Sequence, residues 1–331
     1  MHTIIQKNIS LKDKNWFLTG GNAEFFAAPQ TAAEFSEAVQ FSVQNTMPIT
    51  LLGEGANILI SDEGIKGLTI RPSLKEIKIL HEDAEYGYVK AEAGASLSEV
   101  INFCLDHQLL GLHEFSGIPG RIGGAVYINV HYFEFLIEQF IDAATIIDKA
   151  TGTLHVVNKD WFNFSYDYST LHEKSHYLVD VTFKLKKGTQ HQADYAKGRR
   201  DEMIRTRARR YPTSRTCGSF FRNFFEHEVT LVSNGKKMIF VAYYLDKLGI
   251  KGEFSIGDAQ VSYQHANMIV NRGNATSNDI ISLARAMQEK VHAAYGILPQ
   301  PECQLLGFDE WPLLDSNTII FNQNKIQEIS L

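Results

Sequence analysis

Ser219 stands in the run Cys217-Gly218-Ser219-Phe220-Phe221-Arg222-Asn223, and Glu302 stands far downstream in Gln300-Pro301-Glu302. A hydroxyl able to give up a proton and a carboxylate able to hold it in place are the parts of a site that protonates carbon. Upstream lie two glycine-rich loops, Leu52-Gly53-Glu54-Gly55-Ala56-Asn57 and Gly117-Ile118-Pro119-Gly120-Arg121-Ile122-Gly123-Gly124-Ala125. Such loops approach phosphate closely, because they lack Cβ atoms and can aim successive N–H groups at one anion. Neither has the Rossmann GxGxxG or the Walker A pattern, and each alone reads equally well as a tight turn between strands. Two of them in one α+β half point to a large dinucleotide-like cofactor. Asn57 and Asn129, just after the loops, read either as side-chain partners of that cofactor or as buried structural amides.

The elements that must position these residues can be read from periodicity. Thr31 to Gln44 has helical spacing and runs into the short apolar segment Ile49-Thr50-Leu51-Leu52, which stops at Gly53: a helix, strand, glycine-loop unit. Asn57 to Ser61 and Gly67 to Arg71 read as strands separated by the turn Asp62-Glu63-Gly64. Ser96 to His107 reads as a helix, and strand signals recur at Ala144 to Ile147 and Tyr177 to Leu185. The basic stretch Lys186 to Arg210 reads as a linker plus helix and marks a domain boundary. In the last third, Ile280, Ala284, Met287, Val291 and Ala294 line one face of a helix from Asp279 to Tyr295, with Thr276 and Asp279 placed for a capping box. Gly307 to Leu331 reads as a strand and turn packed back on the body or as a tail.

Composition narrows the function classes. A chain of 331 residues, 44% hydrophobic, has the length for two or three domains. A net charge of −6 argues against nucleic acid, whose phosphates call for a basic face. Three widely spaced cysteines without CxxC suggest neither a disulfide framework nor a metal site, and fit a reducing cytoplasm. The polar start is unlike a signal peptide, and no stretch approaches the roughly 20 apolar residues of a membrane helix.

Several motifs, in order along the chain, carry a resemblance. Asn15 to Glu24, Gly53 to Asn57 with Ser61-Asp62-Glu63-Gly64, and Gly117 to Asn129 resemble the FAD-binding half of the UDP-N-acetylenolpyruvoylglucosamine reductase family. Gly218 to Asn223, Leu248 to Gly252, His265 to Asn271, Gly273 to Thr276 and Pro301-Glu302 resemble its second half. The resemblance implies an α+β chain: an FAD-binding domain of the vanillyl-alcohol-oxidase (PCMH) type over 1–190, in subdomains of about 1–72 and 73–190, then an α+β substrate domain over 191–331. It implies FAD as cofactor, NADPH as reductant and a UDP-sugar as substrate. Hydride reaches the methylene carbon of an enolpyruvyl ether by way of the flavin, and the product, UDP-N-acetylmuramate, is a peptidoglycan precursor.

By the same resemblance Ser219 protonates the neighbouring carbon and Glu302 is the catalytic carboxylate. Asn223 contacts substrate, and Arg222 takes the place of a usual lysine. The cofactor residues are Gly53, Glu54, Gly55, Ala56, Asn57, Ser61, Gly117, Ile118, Pro119, Gly120, Gly123, Gly124, Ala125 and Asn129.

Two segments depart from the pattern. The family has an arginine in Tyr-Arg-x-Ser, and Tyr166-Asp167-Tyr168-Ser169 aligns with it. Like charges about 5 Å apart at an effective dielectric of about 20 repel by roughly 3 kcal/mol, so exchanging a cation for an anion shifts the site by about 6 kcal/mol. Asp167 must then point away, be neutralised, or be answered by another cation; Arg215 and Arg121 are the candidates. A run of small residues is replaced by Asn129-Val130-His131-Tyr132-Phe133-Glu134. His131 there reads as a contact to flavin, a partner for Asp167, or part of a repacked loop. A related flavoenzyme with another substrate, and a non-catalytic flavin or nucleotide-sugar binding protein, stand as alternatives.

Overall fold

The computed structural model describes residues 4–315, so most of the strand or tail expected over 307–331 lies outside the described residues. The chain divides into two compact units, and neither is continuous in sequence. The first comprises 4–9, 23–54 and 66–207; the second comprises 10–22, 55–65 and 208–315. The boundary expected near 190 falls inside the first unit, with which the long helix Gln190–Arg210 stays up to Arg207.

The first unit holds two sheets. A four-stranded sheet runs in the order Ile5–Ser10, Asn22–Ala27, Ile65–Ile70, Ile49–Leu51, with the last pair parallel. Helix Ala32–Gln44 is capped by the Thr31 hydroxyl, which accepts the Glu34 N–H at 3.1 Å, and buries Phe35, Ala38 and Val39 with Leu68 and Ile70. A six-stranded antiparallel sheet has the order Leu154–Asn158, Ile141–Asp148, His176–Lys187, Tyr86–Glu92, Ile77–Glu82, with Leu109–Leu110 also pairing His176–Lys187. Helix Leu97–Asp106, opened by a Ser96/Glu99 capping box, buries Val100, Ile101 and Cys104 in the core that Val89, Phe115 and Phe183 share. Buried apolar area of this kind supplies most of the folding free energy, at about 25 cal/mol per Å².

The second unit is built on helix Ser277–Tyr295. Its Thr276 and Asp279 form the expected capping box and Gly296 closes it in the left-handed conformation. Its apolar face, Ile280, Ala284, Met287 and Val291, packs with Val261 and Ile269 of the three-stranded sheet Ser255–Ile256, Ala259–Val261, Ile269–Asn271. Phe17 and Leu59 join this same core, which is why two short early segments belong to the second unit. Strand Ile58–Ile60 runs parallel to Gln304–Leu306, a pairing across most of the chain.

Candidate active site

Within the second unit, Ser219 and Glu302 are laid side by side by backbone pairing. Ser219 bridges Met268 on one side, and on the other Phe221 bridges Pro301. Phe220 donates its N–H to Asn267 O at 2.8 Å, while its carbonyl accepts the N–H of Glu302 at 2.9 Å and of Cys303 at 3.2 Å. The Glu302 segment continues into Gln304, whose N–H reaches Asn57 O at 3.0 Å, and the Asn57 amide donates to Glu302 O at 3.4 Å. The end of the first glycine loop, the expected carboxylate and the expected acid therefore lie in one array of neighbouring segments.

The Ser219 hydroxyl makes no hydrogen bond to any described residue and its side chain is partly exposed, so it is available to donate. Gly218, at φ +80°, turns the chain immediately before it, and a Cβ there would meet nothing within 4 Å; the backbone, not space, requires glycine. Asn267, 2% exposed, fixes the segment from beneath. Its side chain donates to Phe221 O at 2.7 Å and accepts from Phe221 N at 3.1 Å, satisfying a buried peptide group twice over. The sequence placed Asn267 only inside a family motif; its role emerges from this two-way bond.

Arg222 directs its guanidinium at Glu228 in a two-pronged pair, 2.7 and 2.8 Å, and stacks over Phe225 at 4.3 Å. That contact, through the Arg222 side chain, holds the Glu228 carboxyl below the usual carboxylate range. Asn223 is exposed. Arg215 is exposed, adopts φ +56°, and makes no ion pair among the described residues. A non-glycine residue in that region is uncommon and tends to mark a constrained functional segment. Cys217 and Cys303, flanking the two candidate groups, are buried; burial, with the Cys217 thiol close by, pushes the Cys303 thiol up, away from reactive thiolate. Ser61 is 6% exposed and its hydroxyl accepts the Glu63 N–H at 3.2 Å, so it closes the turn of Asp62 to Gly64.

In the first unit the second glycine loop is laid along residues 93–97: Leu97 N–H reaches Gly120 O at 3.0 Å, Ile122 N–H reaches Ala95 O at 2.9 Å and Gly123 N–H reaches Ala93 O at 2.9 Å. Ile118 is half-buried against the core, Ala125 is buried and Pro119 is exposed. The glycines fall into two kinds. At Gly117 and Gly123 a Cβ would press on protein, the Arg207 side chain at 2.9 Å and Ala93 O at 3.2 Å. At Gly53, Gly120 and Gly124 it would meet nothing within 4 Å. The second kind borders open space, as a surface that admits a close ligand must. In the second unit, Gly55 belongs to the packed kind, against Asn15 Cα at 2.5 Å, and Ala56 is partly exposed. The Asn57 Oδ1 atom is buried without a hydrogen-bond partner, an acceptor that a bound donor would satisfy.

Arg121 is not a spare cation. Its Nε donates to Glu54 at 2.8 Å and its NH1 to Pro72 O at 2.8 Å, with the side chain 11% exposed. Asn129 is fully buried at φ +47°; its amide donates to Ser165 O at 3.1 Å and accepts from Glu138 N at 3.3 Å, so its side chain is spent within the protein. Of the readings open for His131, the structure has the pair: its Nδ1 lies 3.4 Å from Asp167 Oδ1, beside the Tyr166 ring at 4.9 Å. Among the described residues no cluster of histidine, cysteine and carboxylate side chains is arranged to hold a metal.

Comparison with known proteins covers almost the whole chain. Residues 23–158 match an FAD binding domain family, and residues 210–306 match the family of the UDP-N-acetylenolpyruvoylglucosamine reductase C-terminal domain. The chain is 31% identical over 310 residues to the UDP-N-acetylenolpyruvoylglucosamine reductase of Listeria innocua, spanning 93% of this chain and 97% of that protein. It is 33% identical over 308 residues to that of Lactobacillus delbrueckii subsp. bulgaricus, spanning 92% and 95%. The crystal structure of UDP-N-acetylenolpyruvylglucosamine reductase from Thermus caldophilus matches with a TM-score of 0.73 at 24% identity, over 91% of this chain and 99% of that one, a likeness of fold.

Proposed function

Because the chain belongs to the UDP-N-acetylenolpyruvoylglucosamine reductase family, we propose that it reduces UDP-N-acetylglucosamine enolpyruvate to UDP-N-acetylmuramate with NADPH, as a flavoenzyme of peptidoglycan precursor synthesis. FAD, when bound, supplies the hydride chemistry that links NADPH to the enolpyruvyl double bond. The open faces of Gly53, Gly120 and Gly124, all in the first unit, fit a closely approaching cofactor.

The observation that carries the reading is the backbone pairing of Phe220 and Phe221, next to Ser219, with the Pro301–Glu302 segment. Reduction of the double bond needs a hydride at the methylene carbon and a proton at its neighbour. Ser219 Oγ–H gives that proton, and Glu302 is the carboxylate that holds the acid in place, as a positioned general acid requires. Arg222 and Asn223 take the substrate's diphosphate, and Arg222 then exchanges its Glu228 partner for phosphate oxygens, which suit the same guanidinium fork. Arg215 is the cation we assign to the charge that develops on the substrate carboxylate side. The substrate is a UDP-sugar. A net charge of −6 offers no basis for nucleic-acid binding, no helix among the described residues is long and apolar enough to cross a membrane, and a cytoplasmic location completes the reading.

The test is NADPH oxidation by the FAD-loaded protein, expected to depend on the enolpyruvyl sugar. The His131–Asp167 pair, where the family has an arginine, favours a second reading, a related flavoenzyme with another substrate; NADPH oxidation unaffected by the enolpyruvyl sugar would select it.

A further inference from the structure

The two glycine loops of the sequence are joined by one carboxylate. Glu54, between Gly53 and Gly55 of the first loop, accepts Arg121 Nε of the second loop at 2.8 Å. Arg71 approaches the same Glu54 oxygen at 3.7 Å and donates its Nε to Gly53 O at 3.2 Å. Arg121 also donates to Pro72 O at 2.8 Å, next in sequence to Arg71. Both arginine side chains are largely covered, 11% and 20% exposed. The loops are otherwise anchored separately: the second along residues 93–97, the first at the end of strand Ile49–Leu51, where Leu52 N–H reaches Ile70 O at 2.9 Å.

We infer that Arg121 and Glu54 form a latch that sets the two loops in the spacing that accepts FAD, with Arg71 steadying the first loop. The inference rests on the FAD reading of the same loops. Two features make the latch a positioning device. The residues whose Cβ positions face open space, Gly53 and Gly120, are the immediate chain neighbours of Glu54 and Arg121, so the latch fixes the backbone next to each open face. A planar guanidinium held at both Nε and NH1 also resists rotation in a way that a lysine ammonium does not. Arg121 thus acts on the cofactor through backbone placement, and neither it nor Glu54 is a catalytic residue.

The experiment measures FAD affinity by fluorescence titration of the full-chain apoprotein, with thermal unfolding of the same apoprotein alongside. Arg121→Gln and Glu54→Gln should each weaken FAD on the order of tenfold or more, and the double variant should be no weaker than the worse single one, as coupled partners behave. Apoprotein stability should change little, and Arg121→Lys, which keeps the charge but not the fork, should recover part of the affinity. Arg121→Lys and Glu54→Gln carry the test should Arg121→Gln fail to fold. Wild-type affinity in the variants, or losses that add in the double variant, would overturn the latch while leaving the FAD reading intact. A parent protein that binds no FAD would overturn both.

Discussion

The backbone N–H of Glu302 lies 2.9 Å from the carbonyl of Phe220, one residue past Ser219. That hydrogen bond sets the Glu302 segment beside the segment that carries Ser219, two stretches far apart in sequence, and the Asn57 segment is tied to the same stretch. The first expectation concerns this pair. Ser219→Ala should leave NADPH-driven reduction of the bound flavin unchanged and slow its reoxidation by the enolpyruvyl sugar by about 10²- to 10⁴-fold, the usual worth of a positioned acid. Rapid mixing resolves the two half-reactions; an unchanged reoxidation rate removes Ser219 from the chemistry.

Asn267 makes both side-chain bonds to the buried Phe221 peptide group. Asn267→Ala would leave that N–H and C=O without partners, at about 1–3 kcal/mol for each unsatisfied group. Urea unfolding should show that loss, and turnover should fall further than flavin affinity, because Phe221 is two residues from Ser219. Asn267→Ala with unaltered stability would show that the segment is held by its backbone pairing alone.

Arg215 and Arg121 were equivalent in the sequence as replacements for the arginine that Asp167 displaces, and the structure separates them. Arg121 is committed to Glu54, whereas Arg215 is exposed and without an ion pair among the described residues. Arg215→Met should depress kcat well beyond any change in FAD affinity, the signature of an interaction made in the transition state. Full kcat in Arg215→Met would return the search to His131, which sits 3.4 Å from Asp167.

His265 has its titration lowered below the ordinary 6.5 by burial first, then by Arg210 and Lys251, and its Nδ1 is buried without a partner. The sign follows directly: the folded state disfavours the imidazolium, so stability is full above about pH 6.5 and is lost as pH falls through the lower folded value. His113 and His172 are lowered by burial as well, and contribute in the same direction. Thermal unfolding followed from pH 8 down to pH 5 should therefore show falling stability, and His265→Gln should flatten part of that slope. A slope identical in parent and variant would mean that His265 does not share in it.

Much of the local structure was legible in the sequence because it is written locally. The Thr276/Asp279 capping box, the apolar stripe of helix Ser277–Tyr295 and the helix from Ala32 to Gln44 depend on residues within a few turns of each other. The resemblance also set Ser219 and Glu302 in one reaction before any geometry was known. What the sequence could not contain is which distant segments become neighbours. Nothing in the short apolar run Ile58–Ile60 tells whether it pairs with Ile65–Ile70 or, as found, runs parallel to Gln304–Leu306, since periodicity reports a strand but not its partner.

The same limit decided the fate of individual side chains. Residue type alone leaves Arg121 a candidate cation, Asn129 either a cofactor partner or a structural amide, and His131 a flavin contact, a partner for Asp167 or part of a repacked loop. Each was settled by a partner on another segment: Glu54, Ser165 with Glu138, and Asp167. Sequence determined the chemical vocabulary and the order in which it is laid down. Tertiary structure decided which charges and donors are spent on each other and which, like the Ser219 hydroxyl, are left for a ligand, because hydrogen bonds and ion pairs are short-ranged and satisfy whichever groups the folded backbone brings within about 3 Å.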